Sequence, residues 1–485
     1  MESVTPRGLP RRPYVLVLIA LIAAEATSAF ELSMLSAAVP DLMAEFRLQT
    51  TDIGWAFTGF MLVIAASAAV GGKLGDLFGR KKVLIVVLLL SILGSVVSVA
   101  FGTFGAIIAG RAIQGVTGAI LPCIMGIARE AVEPKRVQVT MAVVAGTVTI
   151  AGALGFFFSG LLIQYANWHS IFIAAAVLAG LAALLCQILL APSPRTYVRG
   201  DKIDIVGGAL FVPALAAILY SVTESQTSGW GDPVVLGGIA IGVVVGVFWV
   251  WWELRVPKPL LNLRLLAKPR YALTMCIVAF VSFGAFGGIQ LVQPILFQSP
   301  TSMPIGLGLT PSVFGMIGLA IAGFGFLFAP VSGMVAGRVG AKRSMLIGIV
   351  GLAVTMPSYF LFRDSLVLMI LVMVLGSVGT MFAVTSIPTM MAEVVPPENM
   401  GEGMGFSVVV RSLFQAISVS VFSLTLSSAV VPGTALPTVG AYGLTMAVGA
   451  VGTLVALLLV LLMRGRPAAT GVIPGAAPLP ALAQD

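Results

Sequence analysis

Fourteen apolar stretches, each long enough to cross a bilayer, fill the chain from Tyr14 to Met463. They run over residues 14–38, 52–74, 83–101, 104–128, 138–162, 168–191, 204–222, 234–252, 270–298, 311–336, 343–362, 366–392, 404–430 and 438–463. An apolar run of roughly 20 residues reads as a helical span, whereas a barrel strand would show an alternating segment of about 10. In lipid every backbone N–H and C=O must be bonded within the protein, which leaves only helices and closed barrels. The chain is 59% hydrophobic and 9% charged, against about 25% charged residues in a soluble domain. The pattern predicts an all-α polytopic membrane protein. Only four charged residues lie deep in the spans: Glu25, Glu31, Arg111 and Arg411. Charge at that depth is costly, so these four are the first functional candidates.

The net charge of +8 does not point to nucleic acid. The basic residues are dispersed in short connectors, with no aromatic-interleaved patch. Alternate connectors differ sharply: one side holds 23 of the 27 Lys and Arg residues, the other only Arg47 and Arg363. The positive-inside rule then predicts both termini in the cytoplasm and a multi-pass protein of the cell membrane. Arg11-Arg12 and the apolar run after them loosely resemble a signal peptide. A cut near Ala24-Glu25-Ala26 would bisect the first span, so the segment is read as a span. Cys123, Cys186 and Cys276 all lie within spans, and His169 is the sole histidine, so no disulfide, metal or cofactor site is expected. No GxxxxGK[ST] run occurs. A transporter built this way would draw on an ion gradient or on the gradient of its own substrate.

After the second span comes Gly72-Lys-Leu-Gly75-Asp76-Leu-Phe-Gly79-Arg80-Lys81-Lys82. Glycines let the chain turn sharply and let helices approach closely. Asp76 is placed to neutralise a neighbouring helix N-terminus. A degenerate copy, Gly333-Met-Val-Ala-Gly337-Arg338-Val-Gly340-Ala-Lys342-Arg343, follows span 10 without the acidic residue. Span 4 carries Arg111-Ala-Ile-Gln114-Gly115-Val-Thr-Gly118. Span 1 carries Glu31-Leu-Ser33-Met-Leu-Ser36-Ala-Ala38-Val-Pro40. These runs closely resemble the signature loop, its repeat, the RxxQGxgxa motif and the DxTxxNxALP run of the major facilitator superfamily. In particular they resemble its 14-helix drug:proton antiporters. Asp204-Ile-Val-Gly207, Gly229-Trp230 and Pro259-Leu260-Leu261 fit the same pattern. The chain departs from it in span 5, where GPxxGG is replaced by Gly155-Phe156-Phe157-Phe158-Ser159-Gly160, and in Glu31, Ser33 and Ser36 of span 1.

The resemblance implies two six-helix bundles, residues 14–191 and 270–463, with two additional central helices at 204–252. Residues 1–13 would be a cytoplasmic tail, 192–203 and 253–269 linkers, and 464–485, rich in Pro, Ala and Gly, a disordered tail. It also implies a secondary active exporter of lipophilic or cationic small molecules, exchanged for protons by alternating access across a bacterial inner membrane. The alternative is export of one endogenous metabolite, lipid or antibiotic without proton coupling. Gly72, Asp76, Gly79, Arg80, Lys81 and Arg129 would form the conformational latch. The expected partners are a small-molecule substrate, protons and membrane lipids, with the chain a monomer. No nucleophile or metal constellation appears, so no enzyme is expected.

Helix arithmetic sorts the buried charges. Glu31 and Arg111 lie seven or eight residues from the same side of the membrane, roughly 10–12 Å deep. Equal depth makes an ion pair the expectation, and movement of the Arg would change the proton affinity of the Glu. Glu25 lies six residues earlier, about 120° around the helix, and cannot share a narrow face with Glu31. Glu31, Glu25 and Arg111 are therefore the proton-coupling candidates. Arg411 precedes Gln415 by one turn, as Arg111 precedes Gln114. Arg411 is placed in the cytoplasmic half of its span, with snorkelling as the alternative to a cavity role. In span 9, Phe283, Phe286, Gln290, Gln293 and Phe297 read as one helical stripe. The candidate substrate cavity comprises Ser33, Phe60, Gln114, Phe286, Gln290, Gln293, Phe297, Arg411 and Gln415. Trp168-His169 reads as an interfacial anchor.

Overall fold

The computed structural model describes residues 13–193, 204–256, 259, 263–395 and 400–463. The two expected tails and most of both linkers lie outside the described residues. The helices are α1 (Tyr14–Met34), α2 (Val39–Phe46), α3 (Thr50–Phe78), α4 (Arg80–Ala100), α5 (Phe104–Gln114) and α6 (Ile120–Ala131). Next come α7 (Pro134–Tyr165), α8 (His169–Leu189), α9 (Ile205–Ser228), α10 (Pro233–Arg255), α11 (Pro269–Val281) and α12 (Ile289–Gln298). The chain continues through α13 (Pro311–Leu327), α14 (Ala329–Val339), α15 (Ala341–Leu361), α16 (Leu366–Val394), α17 (Met400–Ser427) and α18 (Val439–Leu462). Twelve continuous or locally broken helices are long and apolar enough to cross a membrane, and α7 and α9 add shorter apolar stretches. The fold therefore has fourteen spans, as the sequence predicts. Two bundles of six flank the inserted pair α9–α10.

Short connectors punctuate these helices. Thr103, Thr310, Ser365 and Thr438 cap α5, α13, α16 and α18 by accepting a backbone N–H through their hydroxyls. Gly79 and Gly340 turn the chain into α4 and α15 at φ of 93° and 91°, a conformation that a side chain resists. The two glycines belong to an internal repeat. A shift of 261 residues carries Arg80–Ala100 onto Ala341–Leu361, and Thr50–Phe78 onto Pro311–Val339. The repeat extends to side chains. Lys81 Nζ donates to the carbonyls of Gln187 (2.8 Å) and Leu190 (2.7 Å) at the end of α8. Lys342 Nζ donates to Leu461 (3.2 Å) and Met463 at the end of α18. A cation there suits both the orphan carbonyls and the helix dipole.

The bundles meet along two seams that the repeat exchanges: α3 on α17, and α13 on α7. Their polar contacts lie at the end away from the termini. Thr50 Oγ1 bonds Ser427 Oγ at 2.5 Å, and Thr58 Oγ1 bonds Ser420 Oγ at 3.2 Å. Gln164 Oε1 accepts from the Ser312 backbone at 3.2 Å, and beside the seams Gln298 Nε2 of α12 donates to the Ala37 carbonyl at 3.3 Å. The molecule is thus shut at that end. α9 covers the α3–α17 seam, where Leu219 joins Phe60, Met61 and Ala416 in one apolar cluster. Asp204 caps α9 through the Gly207 N–H (2.8 Å) and accepts from Trp252 Nε1 (2.8 Å), tying α9 to the last turn of α10.

Several spans are not the uniform helices that the apolar runs implied. A 3₁₀ turn, Leu35–Ala38, separates α1 from α2, and another, Gly115–Ala119, separates α5 from α6. A π-helical turn, Ser282–Gly287, separates α11 from α12. Such turns inside a span commonly mark hinges or functional sites.

Candidate functional site

α1, α4, α5 and the Gly115–Ala119 turn enclose Glu31 completely within the first bundle. Ser91 donates to one carboxylate oxygen, and Thr117 Oγ1 donates to the other at 3.1 Å. Arg111 Nη1 donates to the main-chain carbonyl of Glu31 at 2.9 Å and to Gln114 Oε1 at 3.1 Å. Gln114 Nε2 passes the chain on to Ser95 Oγ at 2.8 Å. The Arg111 guanidinium lies over the Phe60 ring, 3.7 Å from its centroid. Gly110 and the glycines of the RxxQGxxG run after it explain the closeness. A methyl at Gly110 would stand 2.4 Å from the Gly94 carbonyl oxygen, and one at Gly118 would stand 2.3 Å from that of Ile64. Gly110 lets α5 press against α4, and Gly118 lets the turn after it press against α3.

The equal depth of Glu31 and Arg111 holds, but the expected direct ion pair is corrected. Both carboxylate oxygens are taken by hydroxyls, and the guanidinium reaches the backbone carbonyl. Among the described residues Arg111 Nε and Nη2 have no hydrogen-bond partner.

Glu25 faces elsewhere. It is 5% exposed, and its Oε2 has no hydrogen-bond partner among the described residues. Arg411 of α17 is half-buried in the opposite bundle. Each lies eleven residues from the start of its helix, about 16 Å along the axis. Arg411 is therefore well inside the span, at the same distance along its helix as Glu25, not at a snorkelling position. Gln415, 9% exposed, sits one turn further along α17.

The predicted cavity set divides. Phe60 and Gln114 are fully buried around Arg111, and Phe60 also belongs to the apolar cluster where α3, α9 and α17 meet. Ser33 Oγ turns back to the Ala29 and Phe30 carbonyls. The span 9 stripe is also corrected, because the π turn resets its phase. Phe283 meets Phe422 edge-on at 6.3 Å, and Gln293 Nε2 donates to Tyr359 of its own bundle at 2.6 Å. Phe297 stacks on Phe314 at 5.3 Å, which in turn meets Phe156 at 4.7 Å in the α7–α13 seam. Phe286 and Gln290 remain half-buried.

The basic loop stitches the first bundle to itself. Arg80 Nη1 pairs with Glu130 Oε1 at 2.7 Å, and Arg80 lies close over Gly126. A methyl at Gly72 would meet Pro122 only at ordinary distance. The side chains of Asp76 and Arg129 lie outside what the structure describes. Trp168 and His169 stack at 3.6 Å. A separate cavity of about 620 Å³ lies between α3, α4 and α9, apolar except for Ser67 and Lys82. Among the described residues no three His, Cys, Asp or Glu side chains are placed to hold a metal. Sequence reasoning missed the polar pairs of the two seams. Their only signal is small hydroxyls and amides scattered along apolar helices.

Two helical bundles joined by repeat-related seams, with a few enclosed charges, define a membrane transporter fold. The sequence model of the Major Facilitator Superfamily matches residues 21–419 and 275–483, and the chain belongs to that superfamily. It is 27% identical to a tetracenomycin C resistance and export protein of Streptomyces glaucescens, over 70% of this chain and 62% of that one. It is 25% identical to the multidrug resistance protein Stp of Mycobacterium tuberculosis, over 81% and 72%. It is 30% identical to a puromycin resistance protein of Streptomyces alboniger, over 64% and 63%. The chain thus spans just under two thirds of the first of these. Its fold is similar to that of a D-xylose-proton symporter, with a TM-score of 0.68, 13% identity and coverage of 92% and 97%. It is also similar to a POT peptide transporter solved with sulfate, with a TM-score of 0.67, 16% identity and coverage of 94% and 98%.

Proposed function

We propose that this protein exports amphiphilic, drug-like small molecules in exchange for protons, by alternating access, with its basic face in the cytoplasm. The fold and the superfamily support transport, and the relatives named for resistance and export support the outward direction. The closed seams away from the basic face correspond to the inward-facing member of the cycle.

The observation that carries the coupling is the enclosure of Glu31 beside two helix breaks. Leu35–Ala38 begins four residues after Glu31, and Gly115–Ala119 begins four residues after Arg111. Adding a proton to Glu31 removes an acceptor from Ser91 or Thr117 and removes the negative charge beside Arg111. The guanidinium, which already has unused donors, then gains by seeking another acceptor. A shift of α5 on its 3₁₀ turn would follow, and α5 is packed against the seam helix α3. The proton thereby biases one of two bundle arrangements.

Reconstituted protein with a pH-sensitive dye in the lumen tests this. A panel of lipophilic cations, neutral drugs and lipids should evoke proton movement with wild type and none with Glu31→Gln. Undiminished proton movement in Glu31→Gln would remove Glu31 from the mechanism. Substrate movement with no proton movement in either protein would favour the second reading, uncoupled export of one endogenous compound. That reading draws on α7, which lacks the antiporter proline and runs unbroken through residues 155–160 into the seam.

A further inference from the structure

We propose that the groove between α3, α4 and α9 is a binding site for an anionic phospholipid of the leaflet on the basic side, its phosphate at Lys82 and one acyl chain against the Gly115–Ala119 turn. The site stands apart from the export reading, and only its effect on proton coupling rests on that reading.

The groove holds about 620 Å³. Its lining runs from Ala66 to Phe78 along α3 and from Lys82 to Leu90 along α4, with Gly208 of α9 and with Val116 and Ala119 of the 3₁₀ turn. Those stretches are about 18 Å and 12 Å of helix axis. One leaflet of hydrocarbon is about 15 Å deep, so the groove is one acyl chain long and begins at the basic face. It is open to lipid, since Phe78 and Val86 are each more than half exposed. Charge then selects the headgroup. Arg80, Lys81 and Lys82 are consecutive, and the first two are engaged: Arg80 by Glu130, Lys81 by the last carbonyls of α8. Lys82 is exposed, and among the described residues its amine has no hydrogen-bond or ion-pair partner. A cation at the mouth of an apolar groove suits an anionic lipid at both ends, the chain against the walls and the phosphate against the amine. A lipophilic cation would be repelled there, and a zwitterionic lipid would bring its own cation up to Lys82. The far end of the groove reaches the coupling machinery. Val116 and Ala119 flank Thr117, whose hydroxyl donates to Glu31 Oε2 at 3.1 Å. An acyl chain there packs against the turn on which α5 shifts when Glu31 takes up a proton, so occupancy by lipid bears on that shift.

The probe is a phosphatidylglycerol with a diazirine at the end of one acyl chain, photolysed on the full chain in an uncharged detergent and mapped by peptide mass spectrometry. Label should concentrate on the peptides that hold Val116–Ala119 and Val87–Leu90. Unlabelled phosphatidylglycerol should displace it about five-fold more effectively than phosphatidylcholine with the same chains, the worth of one lysine beside an anionic headgroup. Lys82→Gln should bring the two competitors level, and Lys82→Arg should keep the preference. Ser67→Phe, which fills the groove, should remove label from both peptides. Should that variant fail to fold, the Lys82 substitutions at an exposed position still decide the matter. Label spread along the helices without enrichment at Val116–Ala119 would overturn the site. So would equal competition by the two lipids in wild type, or an unchanged preference in Lys82→Gln. Displacement by free glycerol phosphate would overturn it too, because the chains would then be dispensable. Failure of the export reading looks different: labelling and preference as expected, yet no substrate-evoked proton movement in vesicles with or without phosphatidylglycerol.

Discussion

At Arg111 a planar cation lies flat on Phe60 while one of its nitrogens serves the Glu31 carbonyl and Gln114. A lysine would keep the charge but lose the stack and the fork. Arg111→Lys is therefore expected to cost about 1–2 kcal/mol through unsatisfied buried acceptors. It should lower the melting temperature of the purified protein by a few degrees and abolish coupled proton movement. Wild-type melting and coupling in Arg111→Lys would show that only the charge matters. Glycines make a second contrast at this scale. Gly110→Ala forces a methyl to within 2.4 Å of a backbone oxygen that cannot rotate away, whereas Gly246 has open space. The first should destabilise by about 1–3 kcal/mol, and Gly246→Ala should be neutral or stabilising by about 0.5–1 kcal/mol. A detergent melting series reads both. Depth was legible for Glu31 and Arg111 because rise per residue is a local property. Ser91 and Thr117 were not, because α4 and the Gly115–Ala119 turn meet α1 only through tertiary packing.

Helices as units show where sequence arithmetic holds and where it stops. The fourteen spans and the repeated glycine turns follow from local chemistry, and the structure reproduces them. The span 9 stripe fails because its arithmetic assumes one helical pitch, and the π turn at Ser282–Gly287 inserts extra residues. That turn is stabilised by long-range contacts that no local pattern announces. Ser418 Oγ donates to the Phe283 carbonyl at 2.6 Å and accepts from the Gly288 N–H at 2.9 Å. The basic loops illustrate the same division. Their position was readable, but not that Lys81 and Lys342 would each close the last turn of a partner helix. Because the geometry repeats, removing either amine should have a similar cost. Lys81→Met and Lys342→Met should each lower stability by about 0.5–1 kcal/mol, and the double variant should show the sum, since the sites lie in different bundles. A loss confined to Lys81→Met would mean that the repeat is geometric and not energetic.

The whole molecule is held shut at one end by few polar contacts and many small-residue approaches. Thr50 and Ser427 touch at 2.5 Å, Thr58 and Ser420 at 3.2 Å, and a methyl at Gly160 would stand 2.3 Å from the Pro311 carbonyl oxygen. Contacts of this kind are individually weak in a membrane, about 0.6 kcal/mol for a typical interhelical hydrogen bond. They can therefore hold one state without making the other inaccessible, which an alternating cycle requires. Alternating access further demands that these seams part once per cycle, and a covalent staple across one of them tests that demand. In a Cys276→Ser background, which removes the exposed native thiol, Thr50→Cys with Ser427→Cys should oxidise readily. The oxidised protein should stop transporting while still binding substrate from the basic face, and a reductant should restore transport. Each single cysteine variant should transport normally under the same oxidant. If the stapled protein transports at the wild-type rate, the α3–α17 seam need not open. The moving surface would then have to lie at α7–α13 alone, which the two-fold exchange of the seams argues against.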